Sequence, residues 1–211
     1  MKTFRIRASA GGKLMTAPRS KSETLSQTTK SHLQEWAKEQ IYGVRKEIKS
    51  KYLTKGITQE DAGIDKTIEW LDLPFVIKNE KYFEDEFFCG TPDLIIDELD
   101  EVIDTKLSWD CYTFPLFDDV CPNKDYEIQL QIYMHLTGKK KARLVYILLN
   151  TPENLTYETP HNYDAIDKKY RIKTYSFDYD PAIIETLKDK VLESRKYLDN
   201  LCIFTKEIRQ D

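Results

Sequence analysis

The 211-residue sequence predicts an α/β fold, a mixed central β-sheet flanked by helices, and three observations carry that expectation. Strand-like segments follow one another between residues 75 and 108. Segments with helical periodicity stand before and after them. In the second half a helix, a strand, another strand and a long helix alternate. At 40% hydrophobic and 32% charged residues the composition is that of a folded domain. No apolar run approaches the length of a bilayer-spanning helix. The opening "MKTFRIRASAGG" is basic but has no apolar segment, so a secretory signal is not expected. One domain over 1–211 is expected, with a basic N-terminal helical part (1–56) and a core (57–211).

Each element has its own justification. Residues 4–15 begin with alternation and then meet Ser9 and a glycine pair, a turn or helix-start signal. The polar stretch 16–31 reads as a loop. Leu33, Ala37, Ile41, Val44 and Ile48 recur at helical spacing and predict a helix over 32–52. A second is expected from Thr58, as N-cap, to Leu71. Residues 75–83, 86–97 and 101–108 read as strands. A loop rich in Pro, Asp and aromatics covers 109–124. Residues 125–138 are helical and end at Gly138. Strands are expected over 142–150 and 173–180, then a helix from Pro181 to Phe204. On that last helix Ile184, Leu187, Val191, Leu198 and Leu201 form one core-facing stripe.

The net charge of -4 hides an asymmetry: residues 1–56 hold 13 Lys or Arg against 4 Asp or Glu. A basic part beside an acidic body suits either a polyanion partner or a solvated helix surface. Cys89, Cys111, Cys121 and Cys202 have no metal-finger spacing and read as reduced thiols. His32, His135 and His161 are isolated and read as surface or packing residues.

Residues 93–106 carry the chemistry. If Glu98 and Leu99 form the turn of a hairpin, Asp93 sits directly opposite Asp104, and Lys106 shares the face of Asp104. Facing carboxylates destabilise a sheet unless they are neutralised. Lys106 offsets one charge, and a divalent cation with a preference for oxygen, Mg²⁺ or Mn²⁺, satisfies both. An acid-x-Lys pattern alone means little, since Glu47-x-Lys49 and Asp167-x-Lys169 share it. Here, however, Pro92–Asp93 and Asp104-Thr105-Lys106 lie on adjoining strands, before a helix that carries Gln129 and Tyr133.

In that arrangement the chain resembles the PD-(D/E)xK nuclease superfamily, and within it the lambda-exonuclease-like, YqaJ-type recombination nucleases. The segments "RASAGGKLM", "KGITQEDAG", "GTPDL", "IDTKLSWD" and "EIQLQIYMHLTG" match the family's motifs in order over most of the chain. The resemblance implies a Mg²⁺-dependent DNA exonuclease (Mn²⁺ substituting) that hydrolyses phosphodiesters by metal-activated water, 5′-to-3′ on linear duplex ends in phage-type recombination. Its catalytic set would be Glu60, Asp93, Asp104, Lys106 and Gln129. Metal would be held by Glu60, Asp93, Asp104 and the main-chain carbonyl of Thr105. Asp61 and Glu69 lie on the same expected helix as Glu60 and compete for its role. Lys106 would position or deprotonate the attacking water, and Asp104 replaces the more usual Glu. By the same resemblance a terminal phosphate would meet Ser9, Thr91 and an arginine, Arg5 or Arg7, with Lys2 also at the matching place. Tyr133 would stand on the substrate side.

The resemblance further implies DNA as partner, a single-strand annealing protein, a homotrimeric ring and no membrane. It places the protein in the cytoplasm of a bacterial host, with phage or prophage origin. Two other readings stand beside it: a RecB-like, CRISPR-associated single-strand nuclease, and an inactive DNA-binding subunit of the same fold. The first often uses four cysteines, three of them near the C-terminus, where only Cys202 lies here.

Overall fold

The structure, a computed structural model, describes residues 2–47, 50–156 and 161–207, with side chains through Leu201. Its strands fall into two sheets. A small sheet has the order β1-β3-β2, from β1 (Ile6–Arg7), β2 (Phe83–Glu84) and β3 (Phe88–Gly90). The central mixed sheet has the order β4-β5-β6-β7, from β4 (Leu94–Ile96), β5 (Glu101–Leu107), β6 (Lys141–Ile147) and β7 (Ile172–Asp178). Its β5–β6 pair is parallel and its two outer pairs are antiparallel.

The segment expected as one strand over 86–97 is thus two strands in two sheets. The break falls at Thr91-Pro92-Asp93, where proline has no N–H for a ladder. The strand expected over 75–83 survives only at its end. Phe75 and Ile77 are 96% and 72% exposed, because that stretch pairs with no neighbouring strand.

The first two helices also differ from expectation. α1 spans Gln27–Tyr42, and the Ser26 hydroxyl caps it by accepting the Thr29 N–H at 3.0 Å. It stops at Gly43, which takes the left-handed conformation (φ 68) that ends helices. Leu33 and Ala37 are buried, but Ile41 and Val44 are exposed; Ile48 lies outside the described residues. α2 runs from Lys51 to Trp70, so the expected division at residue 56 falls inside it. Thr58 is not an N-cap, since its hydroxyl donates to the Thr54 carbonyl within the helix. The apolar period of the sequence simply continued across a glycine stop.

α3 (Lys124–Thr137, ending at Gly138 with φ 75) and α4 (Pro181–Glu207) agree closely with expectation. The central sheet is covered on both sides. Val102 and Leu144 join a core with α1, α3 and α4, while Ile103, Val145 and Ile147 join a second core with Ile64 of α2. Because strand side chains alternate, this assigns Asp104 and Lys106 to the α3 face and Thr105 and Leu107 to the α2 face. Among the described residues no helix is long and apolar enough to cross a membrane.

Candidate active site

Hairpin register comes first. Leu94 pairs with Ile103, Ile95 with Val102 and Ile96 with Glu101, and one more step in that register puts Asp93 beside Asp104. The connection is a 3-10 turn over Asp97–Leu99 closed by Asp100 at φ 52, rather than a two-residue turn, yet it keeps the same centre. The Thr105 N–H donates to Asp93 Oδ2 at 2.7 Å, which ties the carboxylate to the partner strand.

Asp104 is buried against α3. Its Oδ1 accepts from Gln129 Nε2 at 2.9 Å, and Gln129 Nε2 also donates to the Tyr133 hydroxyl at 3.0 Å. The i, i+4 spacing on α3 is what lets one amide serve both. Lys106 Nζ lies 2.5 Å from Asp104 Oδ2 and 4.9 Å from the centre of the Tyr126 ring. That ion pair gives the buried Asp104 Oδ2 a positive partner, while Gln129 holds Oδ1.

Burial, then the Asp104 charge, push Asp93 up to about 7. Burial works against the charge of Lys106, but Asp104, Asp93 and Tyr126 outweigh it and raise its pKa. Burial raises the Tyr133 hydroxyl as well, with Asp104 adding to it.

Glu60 arrives from α2 with its side chain half exposed. Its carboxylate pairs with Lys78 Nζ at 2.7 Å, and the same ammonium binds Asp61 at 2.7 Å. Glu60 still adds to the upward push on Asp93. Glu69 points elsewhere and pairs with Lys66 at 2.6 Å. Among the described residues no three acidic, His or Cys side chains are spaced to hold a metal ion together. The hairpin alone nevertheless offers oxygens suited to a hard cation: two carboxylates side by side, one of them, Asp93, pushed toward protonation by burial and by the charge of Asp104.

The other sequence-predicted residues lie where the small sheet meets α3. Gly90 is packed so closely that a Cβ there would stand 2.8 Å from Tyr133 Cε1 and 3.1 Å from Ala8 Cβ, which brings the chain at Ser9 and Thr91 beside α3. Ser9 is exposed in a 3-10 turn (Ala8–Leu14), and Thr91 is exposed too. Arg7 is close enough to oppose the upward push on Tyr133. Arg5 is engaged with Glu84 at 2.7 Å. His135 bridges Asp85 (2.9 Å) and the Tyr179 hydroxyl (3.2 Å), a packing role.

Three residues escaped sequence reasoning. Lys78 lies in a segment expected to be a strand. Lys55 is buried, with its ammonium donating to the carbonyls of Ser108, Trp109 and Leu149 and to the Thr151 hydroxyl at 2.8–2.9 Å. Gly63 lets α2 approach β5, since a Cβ there would come within 2.8 Å of Leu107 Cδ2. A Lys at i with Gly at i+8 on an amphipathic helix was the one available signal, and it is a faint one.

No protein-family model and no curated protein matches the chain. Solved structures do. A phage-related exonuclease from Haemophilus somnus is 29% identical, with 97% of each chain covered and a TM-score of 0.87. An alkaline exonuclease, LHK-Exo, from Laribacter hongkongensis is 15% identical, covering 98% of this chain and 93% of its own, with a TM-score of 0.73. Its complex with dAMP superimposes equally well, with a TM-score of 0.73 at 16% identity. The chain therefore shares the fold of these exonucleases, which bears out the resemblance carried by its motifs.

Proposed function

We propose that the protein is a metal-dependent DNA exonuclease that hydrolyses one strand of linear duplex DNA from its 5′ end. Mg²⁺ is the proposed cofactor, Mn²⁺ a substitute, and phage-type recombination with a single-strand annealing protein the proposed setting. The observation that carries the reading is the convergence of Asp93, Asp104, Lys106 and Gln129 in a chain matched over 97% of its length by a phage-related exonuclease.

Asp93 and Asp104 would hold the cation, with Glu60 contributing once its carboxylate leaves Lys78, and the Thr105 carbonyl beside them. Bound there, a divalent ion supplies Lewis acidity to the phosphate and makes water a better nucleophile at neutral pH. The rest of the chemistry belongs to the chain. Lys106, whose pKa is raised, keeps its proton at neutral pH. Paired with Asp104, it would offer a positive charge to the phosphate and position the attacking water. Gln129, held by Tyr133, fixes the orientation of Asp104. Ser9, Thr91 and Arg7 are the proposed contacts of the terminal phosphate, and the contact of Gly90 with Ala8 supports their grouping.

Purified protein with linear duplex carrying 5′-phosphate or 5′-hydroxyl ends, in Mg²⁺ or in EDTA, tests this. Nucleotide release in Mg²⁺ alone, faster from phosphorylated ends, is expected. Absence of cation-dependent release would overturn the enzyme reading, and equal rates on both ends would remove the phosphate pocket.

A further inference from the structure

Outside the catalytic cluster the molecule has a second concave surface. A groove of about 740 Å³ lies on the outer side of the small sheet. Arg5 and Arg7 alternate with the core residues Phe4, Ile6 and Ala8 and line this groove, and Cys89 and Tyr82 complete its floor. The wall is the C-terminal half of α1, with Trp36 packed edge-on against Phe4 (ring centres 5.2 Å apart), and the chain after Gly43.

Charge sets this surface apart from the rest of the protein. Six basic side chains line it against three acidic ones, in a chain of net charge -4. Two of the three acids are already engaged, Glu84 by Arg5 and Glu35 by Lys46. Among the described residues Arg7, Lys13 and Arg45 have no ion-pair partner, so their charge is available to a ligand. A second, shallower depression continues the groove past Lys13 and His32 to Arg19. Cys89, on the floor of the groove, precedes Thr91 by two residues and Asp93 by four.

We propose that this groove binds a single-stranded segment of DNA, guiding it along α1 to or from the catalytic hairpin. A row of cations with half-buried Trp36 and exposed Tyr82 matches how proteins hold a single strand, by backbone charge and base stacking. The inference extends the exonuclease reading, and it is tested by binding alone.

The test uses the full chain in EDTA, with fluorescently labelled 20-nucleotide oligo(dT) and a blunt 20-base-pair duplex as probes, read by anisotropy over a salt series. The variant is Lys13→Glu with Arg45→Glu, both remote from the hairpin, with its thermal melt checked against the parent. Expected are a tenfold or greater loss of oligo(dT) affinity at 0.1 M salt, and a salt slope shallower by about 1.4 from two lost phosphate contacts. Binding of oligo(dT) unchanged in a variant that melts like the parent would overturn the proposal. So would an equal loss for duplex and single strand, which marks a general polyanion surface. Should the variant melt early, Lys13→Gln with Arg45→Gln is read by the same criteria. Nuclease activity does not enter, so failure of the catalytic reading leaves this result interpretable.

Discussion

Thr105 donates its backbone N–H to Asp93 Oδ2 at 2.7 Å, which pins the carboxylate of one hairpin strand to the other strand at the residue next to Asp104. The bond favours the charged form of Asp93, yet burial and the Asp104 charge prevail and push its pKa up to about 7 from 3.8. In the cation-free protein the native state therefore holds a proton that the unfolded chain has released between about pH 4 and 7. That contribution is fully present below pH 4 and is lost as the pH rises through 7, at up to about 1.4 kcal/mol per pH unit. Urea unfolding in EDTA at pH 5, 6, 7 and 8 should show this decline in the parent and a flatter profile in Asp93→Asn. Parallel profiles would show that Asp93 does not titrate there.

Lys106 is the residue whose loss should most cleanly separate chemistry from binding. Lys106→Met keeps the packing against Tyr126 but removes the charge that faces Asp104 and the phosphate. Single-turnover cleavage should fall by at least 100-fold, while duplex binding in EDTA stays within about twofold, since one phosphate contact is a small part of nonspecific affinity. Retained cleavage would show that the lysine is only an ion-pair partner.

Lys78 distinguishes the carboxylates of α2. It binds both Glu60 and Asp61, and the two carboxylates together raise its pKa, so its ammonium occupies the oxygens a cation would need. Glu60→Gln should raise the Mg²⁺ concentration for half-maximal cleavage by about tenfold or more, whereas Asp61→Asn and Glu69→Gln should leave it within about twofold. Lys78→Met should lower it severalfold by removing the competitor. A larger effect at Asp61 than at Glu60 would reassign the ligand.

The hairpin was legible in the sequence because its turn is symmetric. Leu94, Ile95 and Ile96 precede the acidic turn, Val102 and Ile103 follow it, and a turn centred between them pairs Leu94 with Ile103 and brings Asp93 beside Asp104. The partnership of Gln129 with Asp104 was legible through the resemblance of its helix to the family motif, and its bond to Tyr133 through their i, i+4 spacing. The division between α1 and α2 was not, since Leu33, Ala37 and Ile41 continue in phase toward Val44 and only Gly43 marks the stop. The separation of β3 from β4 was hidden for a similar reason: apolar residues run through Pro92, and nothing in them shows that the chain changes sheet. Glu60 was found by motif, but its pairing with Lys78 depends on a loop whose path the sequence does not encode locally.

Lys55 was illegible because its acceptors are main-chain carbonyls, which no side-chain pattern reveals. Its ammonium joins α2 to the ends of β5 and β6, two residues beyond Lys106 on one strand and at Leu149 and Thr151 past the other. Burial lowers its pKa to about 8, partly opposed by Asp110. The unfolded chain thus binds more protons between pH 8 and 10.5, and this group's cost to stability shrinks as the pH rises through that window. At pH 7 the ammonium satisfies the buried carbonyls of Ser108 and Leu149 and also reaches Trp109 and Thr151, which bond each other, so removing it strands the first two. Lys55→Met should therefore destabilise the protein by about 3 kcal/mol at pH 7 in urea unfolding, with a melting temperature lower by roughly 6–12 °C. Lys66→Met, which removes an exposed pair with Glu69 and a contact over the Trp70 ring, should change stability far less. Equal effects of the two substitutions would mean that water, not Lys55, satisfies those carbonyls.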